Sequence, residues 1–164
     1  MLGFQIMNKV EFSQKTMDKF KSVIAKYPEK GAALLPTLWL AQQEFSVLTP
    51  EVEEYVAGLV GVSPVRVQEV RSFYTMYTAR PLGKYHLQLC TNITCSLLGA
   101  EELLEHLKKR LRINCGETTV DKKFTLSAVE CLGYCGTGPV IQINDDFHES
   151  LTRESLDKLL DSLK

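Results

Sequence analysis

The chain has 164 residues, room for one ordinary domain of ~100–150 residues or for two small ones. With 45% apolar and 24% charged residues and a formal net charge of −1, the composition excludes a disordered chain, an electrostatic binder of polyanions and a membrane-embedded protein. The opening MLGFQIMNKVEF has no basic n-region, long apolar stretch or small-residue cleavage site, and no apolar run nears the ~20 residues that cross a bilayer, so the expected compartment is the reducing cytosol.

Residues 13 to 78 carry helical period and helical punctuation, with no strand-like alternation. Phe20, Ile24 and Tyr27 mark one apolar stripe, and Leu34, Leu38, Ala41 and Phe45 mark a second at helical spacing. Pro36 then belongs to a first turn or a kink. Thr49 before Pro50 and Ser63 before Pro64 are N-cap residues followed by proline at the first helical position, so two more helices start there. Val52, Val56 and Leu59 line one of them; Val67, Val70, Phe73 or Tyr74, and Tyr77 line the other. The aromatic residues Trp39, Phe73 and Tyr74 read as buried in this bundle of three or four helices.

ARPLGKY at 79 to 85 supplies proline and glycine, and after it the period changes from about 3.6 to 2. The expected organisation is therefore a helical bundle over residues 1–80 and a second domain over 81–164. KYHLQLC alternates Tyr85, Leu87 and Leu89 against His86, Gln88 and Cys90, a half-buried strand ending at a cysteine. LLGAEELLEHLKKRL predicts a helix with Leu104, Leu107 and Leu111 inward, acidic residues early and basic residues late, as the helix dipole favours. FTLSAVEC and PVIQIN are two further strands, and TRESLDKLLDSL is a closing helix capped by Thr152. The order strand, helix, strand, strand, helix suits the α/β class: a small sheet with helices packed against it.

Five cysteines, Cys90, Cys95, Cys115, Cys131 and Cys135, are too few and too odd in number for a disulfide scaffold. Cys90 closes one strand with Cys95 a short loop later, and Cys131 closes another with Cys135 a short loop later. If those strands are neighbours in one sheet, the four sulfurs meet at one edge. Four thiolates hold a 2Fe-2S cluster in its all-cysteine form. They also hold zinc, whose knuckles use similar cysteine spacings, and a set of unligated structural thiols is the plainest alternative. The alternating strands before each pair favour iron and sulfide over a zinc knuckle, which needs little surrounding core. Neither pair has the C-x-x-C spacing of a thioredoxin dithiol. A cluster carries net negative charge that grows on reduction; Gly133, Gly136 and Gly138 let the chain turn tightly enough to aim N–H groups at sulfur. Cys95 is expected just before a helix, where the dipole favours thiolate. Cys115 has no partner at ligand spacing. His86 is best read as an ordinary strand residue, and His106 and His148 belong to no constellation. No Gly-rich nucleotide loop is present in the sequence, so the electron donor is expected on another subunit.

LLPTLWLAQQEF, VRVQEVRSFYTMY, PLGKYHLQLCTNITCSLLGAEELLEHL and GETTVDKKFTLSAVECLGYCGTGPVIQIND together resemble the NuoE-type, thioredoxin-like 2Fe-2S subunit of NADH-quinone oxidoreductase (respiratory complex I), from about residue 12 to the end. The resemblance implies a helical bundle followed by a thioredoxin-like α/β domain, with Cys90, Cys95, Cys131 and Cys135 as ligands of one 2Fe-2S cluster. It implies an oxidoreductase subunit without a complete active site of its own. The partner would be the flavin-bearing NADH-oxidising (NuoF-type) subunit, whose FMN exchanges electrons with the cluster. The setting would be a larger complex on the cytoplasmic side of the inner membrane, reached without direct membrane insertion. The same module occurs in NAD-linked hydrogenases and formate dehydrogenases. Two positions depart from the family's usual residues: Lys122 stands where it has glycine, and Gly138 where it has alanine.

A different function class is a regulatory module, since EEYVAGLVGVSPVRVQEVRSFY can be read as helix, turn, helix with a zinc-stabilised tail behind it. Residues 1 to 82 hold nine Lys or Arg against eight Asp or Glu, and the would-be reading helix offers Arg66 and Arg71, too little for a footprint on phosphates. No nucleic-acid partner is expected. A free-standing ferredoxin would not need the helical N-terminal part.

Overall fold

A computed structural model describes residues 10 to 163. Most of the opening segment read for a signal peptide lies outside the described residues. The chain divides into two compact units, the first ending at Pro81 and the second starting at Leu82.

The first unit is four α-helices: α1 (Gln14–Ile24), α2 (Leu34–Phe45), α3 (Pro50–Val60) and α4 (Pro64–Phe73). Their starts are set by side-chain caps. Ser13, Thr49 and Ser63 each accept a hydrogen bond from the backbone N–H three residues on, and Pro50 and Pro64 follow two of them where no N–H is needed. Pro36 sits in the first turn of α2, where its missing N–H costs nothing. Leu38, Leu48, Val56, Val60 and Val67 form the centre of the core, each 1% exposed or less. Within it, the Tyr77 hydroxyl donates to the Leu35 carbonyl at 2.7 Å, and the buried carboxylate of Glu53 accepts from the Arg71 guanidinium at 2.6 Å.

The aromatic residues depart from expectation. Phe73 is 78% exposed and Trp39 39% exposed, so neither belongs to the core. Tyr74 is half-buried against it, with the Phe73 ring edge-on at 5.0 Å. The inward row of α4 runs from Val67 through Val70 to Tyr74, and Trp39 projects from α2 between the buried Leu38 and Leu40.

The second unit is a four-stranded sheet with helices: β1 (Tyr85–Cys90), α5 (Ile93–Leu97), α6 (Ala100–Leu111), β2 (Phe124–Val129), β3 (Ile141–Ile143), β4 (Asp146–His148) and α7 (Arg153–Ser162). The strand order is β2-β1-β3-β4. β1 and β2 run parallel, in register from Tyr85↔Phe124 to Cys90↔Val129. β3 lies antiparallel on the other side of β1, and β4 antiparallel on β3. A parallel pair needs a crossover rather than a hairpin, and α6 supplies it. Leu87, Leu89, Leu126 and Ile141 of the sheet pack with Leu107 of α6 and Leu156 of α7, all 0% exposed. This is the α/β architecture expected. Leu103, not anticipated as inward, is also buried, while Leu104 and Leu111 are partly buried beside it. The short edge strand β4, which has too few residues to show a period, was not anticipated either. A capping box of Thr152 and Ser155 starts α7.

His106 has a partner that its sequence neighbours do not reveal: its ring lies 2.8 Å from Asp157 of α7. Arg110, one turn on, pairs with Asp157 and with Asp161. Among the described residues no helix is long and apolar enough to cross a membrane.

Candidate metal centre

The site lies at the edge of the sheet where β1 and β2 both end. Because those strands are parallel neighbours, the loops that leave them start side by side. Cys90 is the last residue of β1; Cys131 follows the end of β2 by two residues. Cys95 lies inside α5 rather than ahead of a helix, since Asn92 caps that helix by accepting from the Ile93 N–H at 3.0 Å. Cys135 opens a single 3-10 turn, Cys135–Thr137. No cysteine is in a disulfide. Cys90 and Cys95 are 2% exposed and pack with Ala100, Val140 and Leu132, whereas Cys131 and Cys135 are exposed.

Main-chain N–H groups are aimed at the sulfurs. Burial pushes the Cys90 thiol up, but the N–H groups of Asn92 and Leu132, with the thiols of Cys95 and Cys131, outweigh it and hold Cys90 below its ordinary value. Cys95 is pushed up by burial and by the Cys90 thiol, against the N–H of Val140, with Cys135 adding in the same upward direction. Gly133 donates its N–H to Cys131 Sγ at 3.3 Å, from a backbone at φ +77° that favours glycine. At Gly138 the need is room: a Cβ there would lie 3.3 Å from Cys95 Sγ and 3.2 Å from Leu98 Cδ1. An alanine at this position would therefore touch the sulfur.

The four predicted ligand residues are all brought to this edge, and Cys115 is not among them; it lies exposed after α6. His86 faces the neighbouring strand, its Nε2 2.8 Å from Ser127 Oγ, and burial lowers its pKa. The N–H donors of Asn92, Leu132 and Val140 were not anticipated. Asn92 could have been found as a capping residue at a strand end; the other two act through backbone and leave no residue-type signal.

Among the described residues no three His, Cys, Asp or Glu side chains gather closely enough to hold a single metal ion. A 2Fe-2S cluster asks for two thiolates on each of two irons, and its negative charge is stabilised by N–H donors in a partly buried site. Four thiols at one sheet edge, three of them facing main-chain N–H groups, fit that group.

Residues 20–164 match the family described as thioredoxin-like 2Fe-2S ferredoxin. An NADH-quinone oxidoreductase subunit of Rhizobium meliloti is 46% identical over 147 residues, 90% of this chain and 88% of the relative. NADH-quinone oxidoreductase subunit 2 of Thermus thermophilus is 46% identical over 156 residues, 93% of this chain and 86% of the relative. An NADH-quinone oxidoreductase subunit of Rickettsia conorii is 42% identical over 156 residues, 93% of each chain. In fold, 80% of this chain superposes on an NAD+-reducing NiFe-hydrogenase in the H2-reduced state with TM-score 0.69 and 21% identity, spanning 22% of that longer chain. The chain belongs to the thioredoxin-like 2Fe-2S ferredoxin family, in the company of these NADH-quinone oxidoreductase subunits.

Proposed function

We propose that this chain is the electron-transfer subunit of an NADH-quinone oxidoreductase, with Cys90, Cys95, Cys131 and Cys135 ligating one 2Fe-2S cluster. The carrying observation is the convergence of the two cysteine pairs at the shared end of parallel β1 and β2, in a chain that aligns with NADH-quinone oxidoreductase subunits over about nine-tenths of its length. When bound, the cluster supplies reversible one-electron transfer, chemistry that needs no acid, base or nucleophile from the protein. The chain's own part is to hold thiolates, aim N–H groups at them and limit water around Cys90 and Cys95.

The electron partner in this reading is the FMN of a flavin-bearing, NADH-oxidising NuoF-type subunit, and the helical unit, expected over residues 1–80, serves as a docking domain within the complex. The chain would then work on the cytoplasmic side of the inner membrane, held there by its neighbours.

Low-temperature EPR of the anaerobically purified, dithionite-reduced chain tests the ligation. The expected result is a 2Fe-2S signal with iron and sulfide in equal amounts; zinc without iron overturns it. Co-expression with the neighbouring genes tests the partner. A co-purifying flavoprotein that accepts NADH is expected, a hydrogenase or formate dehydrogenase assembly would change the host, and a chain that elutes alone would point to a free ferredoxin.

A further inference from the structure

Two of the four thiols sit in a loop with little burial of its own. Cys90 and Cys95 are 2% exposed, but residues 133 to 137 of the Cys131–Cys135 loop and its 3-10 turn are all exposed. Cluster ligands must nevertheless be held to a fraction of an ångström, because the metal–sulfur geometry tolerates little wandering. The loop is tied at its start by Leu132, which packs beside Cys90 and Cys95. It is tied at its end by the Ser150 N–H, which donates to the Thr137 carbonyl at 2.7 Å. Between those ties stands Tyr134, the residue before Cys135. Its ring stacks on Phe147 with centroids 4.6 Å apart and planes 17° from parallel.

We propose that the Tyr134–Phe147 stack is a positioning device for the Cys131–Cys135 loop, fixing those two sulfurs for the cluster; this rests on the ligand assignment of the proposed function. Phe147 is well placed for it. It belongs to β4 and is paired with Gln142 of β3, which is paired in turn with Gln88 of β1, two residues before Cys90. The stack therefore references the exposed pair of sulfurs to the same row of strands that carries Cys90. Both rings stay partly open to solvent, at 36% and 39% exposure, so neither is explained by a place in the core. The contact is ring on ring and needs no phenol oxygen. Tyr134 and Phe147 are positioning residues: they act on the cluster through Cys131 and Cys135.

The test uses the full chain loaded with its cluster, following iron release to a ferrous chelator together with the visible circular dichroism of the cluster. Tyr134→Ala and Phe147→Ala are each expected to release iron about two- to tenfold faster, the range an aromatic pair supports, and to shift the visible dichroism bands. The double variant should be no faster than the faster single one, and Tyr134→Phe should restore both readouts. Release at the parent rate with unchanged bands in Tyr134→Ala overturns the proposal, as does a lowered melting temperature with the bands unmoved. Should Phe147→Ala fail to fold, Tyr134→Ala, confined to an exposed loop, decides alone. A parent chain that takes up no iron would overturn the ligand assignment itself, and this proposal with it.

Discussion

Cys90 at the end of β1 stands directly opposite Val129 at the end of β2. Since the strands run parallel, the chain leaves the sheet at the same edge after both. The loops carrying Cys95 and, two residues past Val129, Cys131 therefore begin about one strand spacing apart, roughly 5 Å. An antiparallel pair would have sent the two loops to opposite edges and left the sulfurs a strand length apart. The proposed cluster site depends on that direction.

Removing any one sulfur should cost the cluster. Cys90→Ser, Cys95→Ser, Cys131→Ser and Cys135→Ser are each expected to lose most of the visible absorption of the purified protein, whereas Cys115→Ser should retain the parent spectrum. Equal loss at position 115 would reject the ligand assignment.

Gly83, near the start of the second unit, stands under a steric limit. A Cβ there would lie 2.9 Å from the backbone N and C atoms of Phe124, and its N–H donates to the Thr125 hydroxyl at 2.6 Å. Backbone cannot swing aside as a side chain can, so Gly83→Ala should destabilise by about 1–3 kcal/mol. Urea denaturation followed by far-ultraviolet circular dichroism checks this; an unchanged midpoint would mean that β1 and β2 separate freely at that end.

Lys122 occupies a left-handed backbone position at φ +57° in the turn before β2, where its N–H donates to the Thr119 carbonyl at 2.8 Å. A side chain is strained in that region by ~1–2 kcal/mol, partly offset by the greater freedom that glycine has when unfolded. Lys122→Gly is thus expected to stabilise by about 0.5–1 kcal/mol, read as a rise in thermal midpoint, and Lys122→Val to lower it.

Tyr77 links the helical unit to pH. Burial, with a smaller contribution from the Tyr74 phenol, raises its pKa from 10.0 to about 12. The neutral phenol is the form the fold prefers, so its contribution is fully present below the unfolded value and is lost as pH rises through the folded one. Thermal midpoints of the parent should accordingly fall between about pH 10 and 12. Tyr77→Phe should flatten that loss and cost ~1 kcal/mol at neutral pH for the missing bond to Leu35. A parent and variant with the same alkaline slope would assign the loss to another group.

Local signals were legible from residues alone. Helix starts at Thr49, Ser63 and Thr152 were written in cap chemistry, and the change to strand period after ARPLGKY was visible because each signal spans only neighbours in the chain. The cysteine pairs were legible for the same reason, as residue types at fixed spacings. What escaped was non-local or carried by backbone. Phe73 and Tyr74 both fit the inward row of α4 by spacing, and only packing selected Tyr74. His106 had no visible partner because Asp157 lies on another helix, and the donors at Leu132 and Val140 act through N–H groups that every residue but proline possesses.

Sequence by itself determined the longer helices and strands, though not the short α5 and β4, which four thiols are candidates, and the family to which they belong, since these rest on period, capping and residue identity. Tertiary structure alone decided that β1 and β2 are parallel neighbours, that Cys90 and Cys95 are buried while Cys131 and Cys135 are not, and that Tyr134 meets Phe147. Strand pairing and burial come from the crossover of α6 and the packing of leucines distant in the chain, an energy that no short window of sequence contains.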